Sequence, residues 1–207
     1  MAKTCKLVIM DAGPIIKLAV IQKLDLLFSF DLTIHIPDEV LFEAMEKQAW
    51  MEGRPLAPDK IYLQEWVKKH KKTKQVVVED TFIGDSARQG RKAGKLSSVN
   101  YPPNLGELSA DSIYLKRATL GYNDDPAVLM LDDYAAAEMF KNKNADVYIF
   151  TTFSFLLGLE KAKIIGSAEE VWGEIVVHLP TAGKMSDPDP SGPVRKGTTA
   201  KLRPRAA

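Results

Sequence analysis

Residues 6–16, Lys-Leu-Val-Ile-Met-Asp-Ala-Gly-Pro-Ile-Ile, restrict the fold more than any other stretch of the chain. Four consecutive apolar residues, Leu7 to Met10, end on a single carboxylate, Asp11. A run this short without alternation is typical of a strand buried on both faces of a parallel sheet. Pro14 is tolerated in a first helical turn, because the N–H that it lacks has no partner there. The stretch therefore predicts a buried strand that leads directly into a helix.

Asp11 is predicted to lie at the turn between this strand and its helix. In open parallel sheets, ligands bind in the crevice at the carboxyl ends of the strands. An aspartate at such a turn belongs either to a binding site or to a helix cap. This stretch alone leaves both interpretations open.

Similar strand–helix units recur along the chain. Further short strands are predicted over residues 31–36, 128–131 and 146–150, and helices over residues 14–29, 39–50, 105–120, 134–143 and 168–177. Asp38 is a candidate cap for the second helix, and Ser167 opens a capping-box pattern for the last one. Units of this length predict an α/β fold, a three-layer α/β/α sandwich with a central parallel sheet.

Two segments differ in character from this pattern. Residues 51–104 contain the basic run 68–74, a candidate strand at 76–78 and a second basic cluster between Arg88 and Lys95, and we expect an insertion or small subdomain. Residues 181–207 hold six basic and two acidic residues in a polar, proline-containing sequence. We expect this tail to be disordered. The folded domain would then span residues 1–180, with residues 51–104 inside it.

Composition excludes several classes of protein. The hydrophobic content of 45% and charged content of 27% are typical of a globular chain with its own core. The apolar run at 7–10 is too short for a signal peptide or a membrane span, so we expect a cytoplasmic protein without a membrane partner. Cys5 is the only cysteine and is expected to be a core residue. The net charge of +1 creates no global attraction for nucleic acid.

Acidic and hydroxyl side chains are placed where the predicted strands and helices could bring them together. They are Asp11, Asp132 and Asp133 after buried strands, Glu43, Glu107 and Asp111 on helices, and Thr151 and Thr152 after the last strand. Clustered carboxylates repel one another, so they either take up protons or bind a cation. Oxygen ligands suit Mg²⁺ or Mn²⁺, ions that promote phosphodiester hydrolysis. The sequence has no zinc-type His/Cys spacing and no glycine-rich nucleotide-binding motif.

Four motifs resemble those of PIN-domain nucleases, in the same order along the chain. They are Asp-Ala-Gly-Pro-Ile-Ile-Lys-Leu-Ala at 11–19, Ile-Pro-Asp-Glu-Val-Leu-Phe-Glu-Ala at 36–44, Gly-Glu-Leu-Ser-Ala-Asp-Ser-Ile at 106–113 and Val-Leu-Met-Leu-Asp-Asp at 128–133. Glu43 matches the metal-site glutamate of the second motif. Thr151 and Thr152 fall where the family often has Ser or Thr. The relatives most similar in appearance are VapC-type toxins of bacterial toxin–antitoxin pairs.

The resemblance implies a Mg²⁺- or Mn²⁺-dependent endoribonuclease that forms a homodimer, cleaves an RNA substrate and is held inactive by a cognate antitoxin. It implies Asp11, Glu43, Asp111 and Asp132 as catalytic acids. Two choices stay open, because Glu107 competes with Asp111 in the third motif and Asp133 with Asp132 in the fourth. Thr151 or Thr152 would hydrogen-bond an acid or a phosphate.

Two other functions are compatible with the sequence. The basic insertion and the imperfect fourth motif would also suit a non-catalytic RNA- or protein-binding module on the same fold. A receiver-like phosphoacceptor domain is disfavoured, since receivers need an acidic pair early in the chain and Asp132–Asp133 comes late.

Overall fold

The structure is a computed structural model that describes residues 7–30, 32–116, 119, 127–133, 136, 137, 140 and 147–182. The strands are β1 (Leu7–Met10), β2 (Thr33–Pro37), β3 (Val76–Glu79), β4 (Ala127–Met130) and β5 (Val147–Phe150). The helices are α1 (Ala12–Val20), α2 (Asp38–Met45), α3 (Lys47–Glu52), α4 (Pro58–Lys72), α5 (Phe82–Lys92), α6 (Leu105–Lys116), α7 (Thr152–Lys161) and α8 (Ala168–His178), and a 3₁₀ helix spans Leu24–Ser29.

The five strands form one sheet in the order β3-β2-β1-β4-β5, and every neighbouring pair is parallel. The chain moves outward from β1 to β3 on one side and then crosses to β4 and β5 on the other. The direction of winding therefore reverses between β1 and β4. In an open parallel sheet, this reversal opens a crevice at the carboxyl ends of the two central strands.

Alternate residues of the central strands pack into cores on opposite faces of the sheet. Val8 and Met10 belong to the larger core, with residues of α1, α4, α7 and α8. Ile9 and Leu129 belong to the smaller core, with residues of α6. Because both faces of the sheet are covered by helices, the predicted three-layer α/β/α class is confirmed.

The first predicted helix is shorter than expected. α1 ends at Val20 and is followed by the 3₁₀ helix instead of continuing to residue 29. Gln22 adopts a left-handed φ of 55°, which an α-helix does not accommodate. The chain turns at this residue, and Leu24 and Leu27 of the 3₁₀ helix that follows pack into the larger core.

The second predicted helix is divided in two, and its predicted cap is wrong. α2 ends at Met45 and α3 begins at Lys47, with Glu46 between them. The N-cap of α2 is Pro37, and Asp38 is already the first helical residue. Asp38 instead accepts hydrogen bonds from the Thr81 backbone N–H and hydroxyl, at 3.2 and 2.8 Å, and pairs with Arg88 at 3.0 Å. It therefore ties α2 to α5.

Residues 51–104 contribute directly to the main architecture. The predicted strand at 76–78 is confirmed as β3, which pairs with β2 and forms one edge of the sheet. α4 packs its Leu63, Trp66 and Val67 into the larger core. α5 is capped by Thr81, whose side chain accepts a hydrogen bond from the backbone N–H of Gly84.

The last part of the described chain contains a helix that the sequence did not reveal. α7 begins after Thr151, whose side chain forms a reciprocal capping box with Ser154. The predicted cap of α8 is confirmed, since the Ser167 side chain accepts a hydrogen bond from the backbone N–H of Glu170. Cys5, most of the predicted helix at 134–143 and the tail beyond Ala182 lie outside the described residues. Within the described part of the chain, no helix is long and apolar enough to cross a membrane.

Candidate active site

Asp11 and Asp132 meet at the crevice between β1 and β4. Each follows the last residue of its strand by one or two positions, and the backbone N–H of Asp11 donates to the carbonyl of Met130 at 2.8 Å. Gly13 lies between the two carboxylates. A Cβ built on Gly13 would lie 3.3 Å from Oδ2 of Asp132 and 3.7 Å from Oδ2 of Asp11. The structure thus brings together the first and fourth predicted motifs.

Asp11 is the N-cap residue of α1 by its backbone conformation. The pKa of Asp11 is raised from 3.8 to about 7, mainly by burial and in addition by the negative charges of Glu107 and Glu43. The backbone N–H groups of Ala12 and Gly13 act in the opposite direction and lower this pKa. Asp11, Glu43 and Glu107 therefore form one electrostatically coupled group, which we call the acidic triad.

Glu43 projects from α2 toward α6. A Cβ built on Gly106 would lie 2.6 Å from Oε2 of Glu43, so the carboxylate occupies space that only glycine leaves free. Oε1 of Glu43 accepts a hydrogen bond from Lys47 at 3.0 Å, one helical turn later in the chain. Burial raises the pKa of Glu43, Lys47 lowers it, and Glu107 and Glu39 raise it.

The two candidate acids of the third motif have different surroundings. Glu107 lines a small cavity together with Asp11 at the ends of β1 and β4, and its charge acts on both Asp11 and Glu43. Asp111 is 8% exposed and lies one turn further along α6. Asp111 does not line the cavity that Asp11 and Glu107 share. The geometry therefore associates Glu107, more closely than Asp111, with the other acids.

The two candidate acids of the fourth motif, Asp132 and Asp133, also have different surroundings. Asp132 is 5% exposed and each of its oxygens is hydrogen-bonded. Oδ1 accepts from the Thr152 backbone N–H at 2.6 Å, while Oδ2 accepts from the Thr152 hydroxyl at 2.6 Å and from Lys17 at 2.9 Å. Asp133 is exposed, and its side chain accepts from the backbone N–H of Ala136 at 2.9 Å. Asp132 faces the crevice, whereas Asp133 serves as a local helix cap.

The two threonines have separate functions in the structure. Thr151 caps α7 through the backbone N–H of Ser154 at 3.0 Å. Thr152 is fully buried and holds Asp132 through two hydrogen bonds. Neither hydroxyl points to solvent, because both residues are buried. Thr152 thus bonds an acid, which is one of the two predicted roles.

The basic segments of 51–104 lie apart from the acids or are already paired. The run 68–74 ends α4 just before β3 begins, so it lies at the amino ends of the strands, on the edge of the sheet opposite Asp11. In the second cluster, Arg91 pairs with the buried Glu39 at 2.7 Å and stacks on Phe42, with its guanidinium carbon 3.5 Å from the ring centroid. Tyr101 donates a hydrogen bond to the same Glu39 carboxylate.

The donor chemistry of the acidic triad fits a hard divalent cation. The negative charge of Glu107 raises the pKa values of Asp11 and Glu43, so a positive charge would stabilise the group, and Mg²⁺ and Mn²⁺ prefer oxygen ligands. Among the described residues, no three His, Cys, Asp or Glu side chains already converge on one point. Oε1 of Glu43 is bonded to Lys47, so a cation at this site would compete with Lys47 for the Glu43 carboxylate.

Lys17, Lys47 and Gly106 are site residues that the sequence reasoning missed. Lys17 carried the strongest signal, since it is a charged residue enclosed by Ile15, Ile16, Leu18 and Ala19. A lysine in so apolar a stretch is seldom fully buried without a partner of opposite charge. Lys47 follows Glu43 by four residues, a spacing that favours a contact on one helical face. Gly106 is recognised only when α2 and α6 are seen side by side.

Comparison with known families adds one result. Residues 7–84 match the family model DUF3368, whose description is PIN domain. This part of the chain is similar to a PIN domain. The match covers less than half of the 207 residues and includes Asp11 and Glu43, but it ends before Glu107, Asp111 and Asp132. No curated protein and no solved structure matched the chain.

PIN domains are in general nucleases that use divalent metal ions, so the match supports a nuclease-type function with a nucleic acid as substrate. The five-stranded parallel sheet is consistent with a PIN-like fold. The order 3-2-1-4-5 also extends the likeness beyond the matched residues, because β4 and β5 complete the sheet.

Proposed function

We propose that the protein is a Mg²⁺- or Mn²⁺-dependent endoribonuclease and the toxin of a toxin–antitoxin pair. Its partners would be an RNA substrate, a cognate antitoxin protein and a second copy of the chain in a homodimer, and it would act in the cytoplasm. The order of the four acidic motifs, which resembles that of VapC-type toxins, supports the toxin assignment. The PIN-domain match at residues 7–84 supports the nuclease activity.

The acidic triad is the observation that carries the proposal. Asp11, Glu43 and Glu107 come from the end of β1, from α2 and from α6, and the charge of Glu107 acts on both of the other acids at the topological switch point. A purely structural role would favour pairing each acid with a base, as Glu39 is paired with Arg91 and Glu43 with Lys47. Within the part of the chain that the structure describes, Asp11 forms no such ion pair, and its pKa is raised.

In this proposal Asp11, Glu43 and Glu107 hold the ion, and Asp111 supports the site from the next turn of α6. A bound divalent ion supplies an activated water and neutralises charge on the phosphoryl oxygens. Asp132, held by Thr152, keeps the floor of the crevice in place beside Gly13. Lys47, whose Nζ lies 3.0 Å from Oε1 of Glu43, would be placed beside the ion to meet a phosphate of the substrate.

The test is cleavage of a mixed RNA pool by purified protein with Mg²⁺ or Mn²⁺, beside single-stranded DNA of matched sequence. EDTA and Asp11→Asn are expected to abolish cleavage. The matched control is Asp85→Asn, because Asp85 is exposed on α5 and outside the acidic triad. Circular dichroism of each variant establishes that it is folded.

Each outcome decides between two functions. Cleavage of RNA that is lost with EDTA and with Asp11→Asn supports the proposal. Cleavage that survives Asp11→Asn would contradict it. Folded protein that is free of antitoxin and binds RNA without cleaving it would favour the alternative, a non-catalytic RNA- or protein-binding module. The pairing of Glu43 with Lys47 is the structural feature that favours this second candidate.

A further inference from the structure

Lys17 is buried against the crevice although it carries a charge. It is 6% exposed, its Nζ lies 2.9 Å from Oδ2 of Asp132, and the same nitrogen lies 5.0 Å from the ring centroid of Trp172. An ammonium group is costly to bury unless it is paired and hydrogen-bonded. The carboxylate on one side and the indole face on the other supply that stabilisation.

The protein itself uses most of the hydrogen-bonding capacity of the Asp132 carboxylate. Its two oxygens accept three hydrogen bonds, two from Thr152 and one from Lys17. These partners come from α1 and from the start of α7, so the carboxylate joins two helices across the carboxyl ends of the strands. A metal ion that bound Asp132 would compete with Lys17 and Thr152 for the same oxygens, and it would meet the repulsion of the ammonium group 2.9 Å from Oδ2.

We propose that Lys17 is a built-in counter-cation for Asp132. Its ammonium group takes the place that a metal ion would occupy on this carboxylate, and Asp132 is a positioning residue, not a metal ligand. The metal part of this inference rests on the proposed function, whereas the Lys17–Asp132 pairing does not. The protein would bind its ion through the acidic triad alone, with one ion per chain.

The test titrates Mn²⁺ into the full-length wild-type protein and into two variants that lack different charges of the site. Calorimetry measures the stoichiometry and the affinity of Mn²⁺ binding. The double variant Lys17→Met/Asp132→Asn removes both charges and keeps similar volumes, so it leaves no buried charge unpaired. The comparison variant is Asp11→Asn, which removes one acid of the triad. Wild-type protein is expected to bind one Mn²⁺ per chain.

The double variant is expected to retain Mn²⁺ affinity within about threefold, whereas Asp11→Asn loses at least about tenfold. If the double variant loses as much affinity as Asp11→Asn, Asp132 is a ligand and the inference is wrong. Two Mn²⁺ ions per wild-type chain, one of them lost in the double variant, would also overturn it.

If wild-type protein binds no Mn²⁺, the proposed metal-dependent function is wrong. A second measurement then still tests the pairing of Lys17 with Asp132. Thermal unfolding in EDTA is compared for Lys17→Met, Asp132→Asn and the double variant. The double variant is expected to have a higher Tm than Lys17→Met alone, because that single change leaves the Asp132 carboxylate buried without its cation. Additive losses of Tm would show that the two residues are not coupled and would refute the pairing.

Discussion

Gly106 leaves open the space that the carboxylate of Glu43 occupies. A Cβ at position 106 would lie 2.6 Å from Oε2 of Glu43 and 3.2 Å from Cγ2 of Val40. Such a Cβ would be too close both to the short Val40 side chain, which has little freedom to move, and to the more mobile carboxylate of Glu43. The contact therefore sets both the approach of α6 to α2 and the direction of the Glu43 side chain.

Gly106→Ala is expected to turn Glu43 away and to lower Mn²⁺ affinity by about tenfold, because one ligand of the acidic triad is displaced. The matched control is Gly173→Ala on α8, where a new Cβ meets nothing within 4 Å. That control should raise the free energy of unfolding by about 0.5–1 kcal/mol through helix propensity. Calorimetric Mn²⁺ titration and urea unfolding measure the two effects, and equal Mn²⁺ affinities would contradict the steric argument.

Asp11→Asn is expected to stabilise the metal-free protein at high pH. The pKa of Asp11 is about 7 in the folded state and 3.8 in the reference state. Between these pH values the folded protein retains a proton that the unfolded chain has lost, so this contribution to stability falls as the pH rises. Asparagine carries no such proton, and the variant should gain up to about 4 kcal/mol at pH 8 and little at pH 4.

Urea unfolding in EDTA at a series of pH values measures this difference. Asp85→Asn is the control, since Asp85 is exposed and its replacement should change stability equally at each pH. A stability difference between wild type and Asp11→Asn that does not grow with pH would show that the folded protein does not hold Asp11 at a raised pKa.

Much of the fold was predictable because the strands are short apolar runs that end on polar residues. β1 and β4 are buried on both faces, and such strands are recognised from composition alone. The position of Asp11 at the crevice follows from the same pattern. The division of α2 and α3 was not predictable, because residues 38–52 have continuous helical character and the break is set by tertiary packing.

The site was less predictable than the fold because it depends on pairs of residues far apart in the chain. The sequence offered Asp132 as a free acid, whereas Lys17 and Thr152 use its oxygens. The resemblance favoured Asp111 with Glu107 as the alternative, and only the placement of α6 beside β1 associates Glu107 with Asp11. The spacing of residues along one helix shows which side chains share a face of that helix. It does not show which strand or helix packs against that face.

Arg91→Gln is expected to destabilise the protein by about 3–5 kcal/mol, because it leaves the Glu39 carboxylate buried without its cation. Glu39 is 1% exposed, and Arg91 lies 2.7 Å from it. Lys92→Gln on the same helix is the control, since Lys92 is exposed and should change stability by less than about 0.5 kcal/mol. Urea unfolding at pH 7 compares the two variants, and similar losses would show that the Glu39–Arg91 pair does not anchor α5 to α2.

Glu107→Gln and Asp111→Asn should separate the two candidate acids of the third motif without any metal ion. The charge of Glu107 raises the pKa of Asp11, so its removal should lower that pKa toward the usual range of an aspartate. Asp111 lies one turn further along α6 and does not line the cavity that Asp11 and Glu107 share, so Asp111→Asn should change the pKa of Asp11 less than Glu107→Gln does. Carbon-detected NMR titration of the Asp11 carboxyl in EDTA measures both values. A larger fall in Asp111→Asn than in Glu107→Gln would transfer the third position of the acidic triad to Asp111, since the group that acts on Asp11 most strongly is the one that shares its crevice.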